Sequence, residues 1–140
     1  MKRRSFLLLA LLPSFAHAHS YKLGDMAIGH AWGLPSGEGE TQVFMPLFNS
    51  GGASDRLVSA SYENAKSNEL RKNNDYGQPA ETGLVLEPKK PFPMRPTANH
   101  IRLMGLTKPL KAGDRIWVTL KFEIAGETQI EVHIQDKAGE

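Results

Sequence analysis

From Arg115 to Ile124 the chain alternates without interruption: Ile116, Val118, Leu120, Phe122 and Ile124 hold one parity, and Trp117, Thr119, Lys121 and Glu123 the other. Successive side chains of an extended strand point to opposite faces, so this pattern buries one face and wets the other. A helix would smear the same residues around its circumference. Ala125-Gly126-Glu127 follows as a turn, and Thr128 to Ile134 alternates again, with Ile130, Val132 and Ile134 on the inward side. A closing pair of half-buried strands commits the chain to a sheet with something apolar packed against it.

The remaining segments agree with that commitment. Strands are predicted over Met26 to Trp32, Thr41 to Asn49, Asp55 to Tyr62, Asn68 to Arg71, Gly83 to Glu87 and Asn99 to Leu106. Pro46 lacks an N–H for a ladder, so the Thr41–Asn49 strand is expected at an edge or bulged there. Met26 and Met45 sit within strong strands and read as packed. Gly, Pro, Asn and Asp cluster between the strands as turns. Glu63 to Lys72 lacks a helical period, Leu70 being its only large aliphatic residue, and the chain shows no internal repeat. The pattern predicts one all-β domain, an antiparallel β-sandwich.

The first 18 residues do not belong to it. Lys2-Arg3-Arg4, the apolar run Phe6 to Leu12 and the small-x-small site Ala16-His17-Ala18 have the layout of a secretory signal peptide. Arg3-Arg4 also admits twin-arginine export. That run is too short to span a bilayer, and no other segment approaches the needed length of about 20 residues. The expectation is a soluble, exported domain over residues 19–140. The full chain carries 17 Lys+Arg against 15 Asp+Glu; losing three basic residues and no acidic one leaves 14 against 15. No basic footprint for nucleic acid remains. Cysteine is absent, so any metal must be held by His, Met, carboxylates or the amino terminus.

The Asn99–Leu106 strand carries the main chemical signal. Ile101 and Leu103 share the core-facing parity, leaving His100, Arg102 and Met104 on the other face. Imidazole and thioether together suit copper, Cu(I) above all. Met94, on a proline-rich loop, is a further candidate ligand. Cleavage after Ala18 would expose His19, whose α-amine and ring nitrogen can chelate one metal, with His30 as a partner. His133 has no partner identifiable from spacing. No Gly-x-Ser-x-Gly elbow, His-Glu-x-x-His run or phosphate-cradling loop is present, so an enzyme is not expected.

Taken in order, three groups of segments resemble the periplasmic PCu(A)C copper chaperones. They are Lys22 to Trp32; Asn49-Ser50-Gly51-Gly52 with Asp55 to Ala60; and His100 to Leu106 with Pro109 to Asp114 and Leu120 to Gly126. The resemblance covers about residues 21–134. It implies a cupredoxin-like β-sandwich that binds Cu(I) through exposed His and Met side chains. It also implies delivery to the copper site of a cytochrome c oxidase subunit or its assembly factors, or periplasmic copper homeostasis. This chain departs from the family pattern at the ligands. Arg71 follows Glu69-Leu70 where the family has His, and the later His-x-Met pair reads His100-Ile101-Arg102. Met104 matches a family methionine that is not counted as a ligand. Guanidinium cannot coordinate a metal, so an alternative is open: a metal-free module whose Arg71/Arg102 face holds an anion or a partner protein.

Overall fold

The structure, a computed structural model, describes residues 20–36, 39–72 and 79–136. The expected signal peptide, His19 and most of the polar loop after Lys72 lie outside the described residues. In chain order the first six strands are β1 (Tyr21–Leu23), β2 (Met26–Ile28), β3 (Ala31–Gly33), β4 (Glu40–Phe44), β5 (Leu47–Asn49) and β6 (Asp55–Ser61). The next six are β7 (Ala65–Arg71), β8 (Leu84–Leu86), β9 (Pro91–Phe92), β10 (His100–Leu106), β11 (Arg115–Phe122) and β12 (Gly126–Ile134).

They form two sheets, a smaller one in the order β1-β2-β5-β9 and a larger one in the order β7-β10-β4-β3-β12-β11-β6-β8. β6 and β7 lie near opposite ends of the larger order yet pack together, so that sheet curls towards a barrel. Among the described strands every pairing is antiparallel but one, β3 beside β12, which is parallel. Ile116, Val118, Leu120 and Phe122 of β11 and Ile130, Val132 and Ile134 of β12 are buried, as their alternation requires. Ile124 shares that parity but is 66% exposed, because β11 ends at Phe122 and the turn carries Ile124 outward.

Two expected strands are each broken in the middle. The Met26–Trp32 run divides into β2 and β3 in different sheets, and the Thr41–Asn49 run divides into β4 and β5 in the same way. Both breaks meet at one corner, where the Gly29 N–H donates to the Pro46 carbonyl at 2.9 Å. A Cβ on Gly29 would lie 2.5 Å from Pro46 Cγ, so the crossing requires glycine there. Pro46 therefore occupies no edge: β4 is flanked by β3 and β10, and β5 by β2 and β9. β7 begins three residues before its expected start, and the proline-rich connection contains β9.

Two polar side chains tie the turns to the sheets. Asp55 is buried; its Oδ1 accepts from the Arg56 and Ile124 N–H groups and its Oδ2 from that of Ala125. Asn49, also buried, donates to the Ala53 and Leu86 carbonyls and accepts from the Gly51 N–H. Each saturates backbone groups that water cannot reach.

Candidate functional site

β10 lies between β7 and β4, in a register that sets His100 opposite Arg71, Arg102 opposite both Glu69 and Gln42, and Met104 opposite both Ser67 and Glu40. Ile101 and Leu103 face the core with no exposed surface. His100 has the opposite parity, yet it is only 1% exposed. It is covered rather than presented. Its Nδ1 lies 2.8 Å from the Ala98 carbonyl, which can only accept, so Nδ1 carries the proton. Its Nε2 lies 3.1 Å from the Gln42 amide nitrogen, which donates to it and also to the Pro96 carbonyl. The Phe44 ring stands 6.3 Å from the imidazole.

Burial pushes the His100 pKa below its ordinary 6.5, outweighing the Ala98 carbonyl that raises it, and the Arg102 and Arg71 charges lower it further. The ring is held neutral, with its lone metal-binding nitrogen already capped. Arg71 is 7% exposed and its guanidinium pairs with Glu69. Arg102 Nε lies 3.6 Å from Glu40 Oε2. A cation brought to His100 would meet two guanidiniums, and an anion would compete with two carboxylates already in place. Neither the copper expectation for His100 nor the anion-binding alternative for Arg71 and Arg102 finds an open cradle here.

The methionine candidates do not complete one. Met104 is four residues from His100 on the same strand, about 13 Å along it at the usual rise per residue. One ion cannot bridge that distance. Met94 is 9% exposed and belongs to the buried core, because the proline-rich loop turns its side chain inward.

A second set of side chains gathers at the parallel pair in the middle of the larger sheet. His30 follows β2 and His133 sits on the outward parity of β12; their ring centroids are 5.1 Å apart at an interplanar angle of 70°. His30 Nε2 is 3.4 Å from Gln135 Oε1, and His133 Nε2 is 3.4 Å from Glu131 Oε1. Glu131 also faces Arg115 at 3.9 Å, and its backbone N–H donates to the Tyr21 hydroxyl at 3.0 Å. β1 is thereby pinned to β12 beside the two imidazoles. Both residues are half-buried, and His133 Nε2 itself is covered from solvent. His30 was a sequence candidate. His133 was missed as its partner, since only the tertiary fold joins residues such as His30 and Gln135, 105 positions apart. The sequence offered little signal, since His133 merely continues the polar outward face of Glu127, Gln129 and Glu131 on β12.

Two imidazoles with a carboxylate behind one of them are a nitrogen donor pair suited to copper. Among the described residues no three His, Cys, Asp or Glu side chains converge as a complete metal cage. Any ion on this pair therefore needs donors from elsewhere or a two-coordinate geometry.

The family model of the LpqE-like lipoproteins matches residues 26–134. A protein of Leifsonia xyli subsp. xyli (strain CTCB07), Lxx21020, named as a lipoprotein, is 30% identical over 133 residues, covering 91% of this chain and 80% of its own length. Among solved structures, the apo PCuAC domain from PmoF1 superimposes with a TM-score of 0.79 at 26% identity, over 85% of this chain and 100% of that domain. The copper-bound PCuAC domain from PmoF2 gives 0.75 at 27% identity, over 85% and 99%. The Cu(I) form of DR1885 from Deinococcus radiodurans gives 0.65 at 20% identity, over 88% and 85%, a likeness of fold.

Proposed function

We propose, from the premise that this chain belongs to the LpqE-like family and has the PCuAC fold, that it is an exported copper carrier whose cargo sits on His30 and His133. The observation that carries this reading is the 5.1 Å pairing of two half-buried imidazoles, against the capped and positively flanked His100. The copper-bound form of the PmoF2 domain supports copper as the cargo.

His30 and His133 would supply one ring nitrogen each. Two imidazoles suffice for Cu(I), whereas Cu(II) prefers a fuller nitrogen and oxygen set. His19, if signal cleavage exposes it, offers an α-amine and a ring nitrogen to complete one. β1 pairs with β2 so that Tyr21 stands opposite Ile28. Glu131 holds His133 in orientation through the 3.4 Å contact. The recipient we propose is the dinuclear copper site of cytochrome c oxidase or an assembly factor serving it, a reading that rests on the family resemblance. The location is the periplasm or its equivalent outside the cytoplasmic membrane, in keeping with the lipoprotein names of the relatives. Among the described residues no helix is long and apolar enough to cross a membrane.

The test is copper retention by the processed chain in competition with a Cu(I) chelator, together with Cu(II) titration followed by electron paramagnetic resonance. His30→Ala and His133→Ala should each abolish stoichiometric retention, while His100→Gln should leave it intact. One residue added ahead of His19 should weaken Cu(II) binding and spare Cu(I). Retention that survives both His30→Ala and His133→Ala would refute the site.

A further inference from the structure

The outer face of the β6–β11–β12 ribbon carries a cleft of about 660 Å³ that the copper reading does not use. Its floor is a cross-strand row: Ser61 on β6 pairs with Thr119 on β11, and Thr119 pairs with Gln129 on β12. Neighbouring strands stand about 4.8 Å apart, so two hydroxyls and an amide are set out at regular intervals. One step along β11 from that row, Trp117 stands 54% exposed. Solvent contact on so large an apolar surface is costly, and an exposed tryptophan within a cleft marks a contact surface. The turn after β6 forms one wall. At the other margin stand Lys108 and Arg115, two cations against the single acid Glu63 among the lining residues.

We infer that this cleft binds an acidic saccharide, with a pyranose ring laid on the Trp117 indole and its hydroxyls on the Ser61–Thr119–Gln129 row. Hydroxyl side chains both donate and accept, and the amide does each with a different atom, which matches the mixed donor and acceptor capacity of sugar hydroxyls. The axial C–H face of a pyranose is apolar and suits an indole. A ligand without hydroxyls would leave the polar floor unpaired, and a neutral sugar would leave Lys108 and Arg115 unanswered. Arg115 is free to turn towards a carboxylate, since its contact with Glu131 is long, at 3.9 Å. The site adjoins the histidine pair, since Arg115 stands opposite His133 in the β11–β12 ladder, but it shares neither imidazole and does not depend on bound copper.

Isothermal titration calorimetry of the processed, copper-free chain with trigalacturonate, and with chitotriose as the neutral comparison, tests the assignment. Trigalacturonate should bind more tightly than chitotriose. Trp117→Ala should weaken it by about tenfold or more, and Lys108→Gln combined with Arg115→Gln should remove the preference for the acidic sugar. All three positions are on the surface, and an unchanged circular dichroism spectrum and melting temperature would show that the variants remain folded. No saturable heat with either sugar at millimolar concentration, equal affinity for the two, or binding that survives Trp117→Ala would overturn the proposal.

Discussion

His100 sits in the middle of a charged cluster and is itself uncharged. Burial, Arg102 and Arg71 all disfavour its imidazolium, and the Ala98 carbonyl alone favours it. Unfolding returns the ring to its ordinary pKa of 6.5. Below that pH the unfolded chain therefore binds a proton that the folded chain resists, and stability falls as the pH drops towards the depressed folded value. Above it both states are neutral and the contribution is constant. Urea midpoints at pH 7.5 and pH 5.0 should consequently fall further for the wild type than for His100→Gln, which keeps a polar group without the titration. An equal fall in the two proteins would remove His100 as the source. The motif containing His100 was visible in the sequence, and so was the anomaly of Arg71 and Arg102 beside it. Its burial was not visible, because period-two parity assigns a face but cannot say what lies over that face. Gln42 and Phe44 come from β4, which meets β10 only in the fold.

The strands themselves were largely foreseeable. β11 and β12 follow from alternation alone, and β6, β8 and β10 appear within a residue or two of their expected bounds. The two long amino-terminal runs failed at Gly29 and Pro46, where a strand leaves one sheet for the other. Each run reads as a continuous β-former, and no local preference marks a corner that exists because two distant backbones touch. Gly29→Ala should therefore destabilise the chain by about 1–3 kcal/mol, the usual cost of forcing atoms into a filled site, since the Pro46 ring is rigid and cannot yield. Gly52→Ala is the matched control, with nothing within 4 Å of the added Cβ, and should change little. Chemical denaturation of the two variants measures the difference; equal midpoints would mean that the corner has slack.

At the scale of the whole molecule, the proposed copper site joins the β2–β3 corner to the last strand, so loading should stabilise the fold globally. A ligand at a hundred times its dissociation constant adds about 2.7 kcal/mol when the unfolded chain does not bind it. For a domain of this size that corresponds to a rise in Tm on the order of 10 °C. Differential scanning calorimetry should show this rise on copper addition in the wild type and in His100→Gln, and not in His133→Ala. What the sequence by itself determined was local: strands from alternation, turns such as Asn49-Ser50-Gly51-Gly52, and a family resemblance strong enough to imply the sheet arrangement. What only the tertiary structure decided was which histidines meet. The ladder between β3 and β12 is parallel and closes a loop of about a hundred residues, so His30 and His133 come together through core packing rather than any spacing in the chain. The same packing closes over His100, because a side chain's exposure is set by the elements stacked around it and not by its own neighbours in sequence.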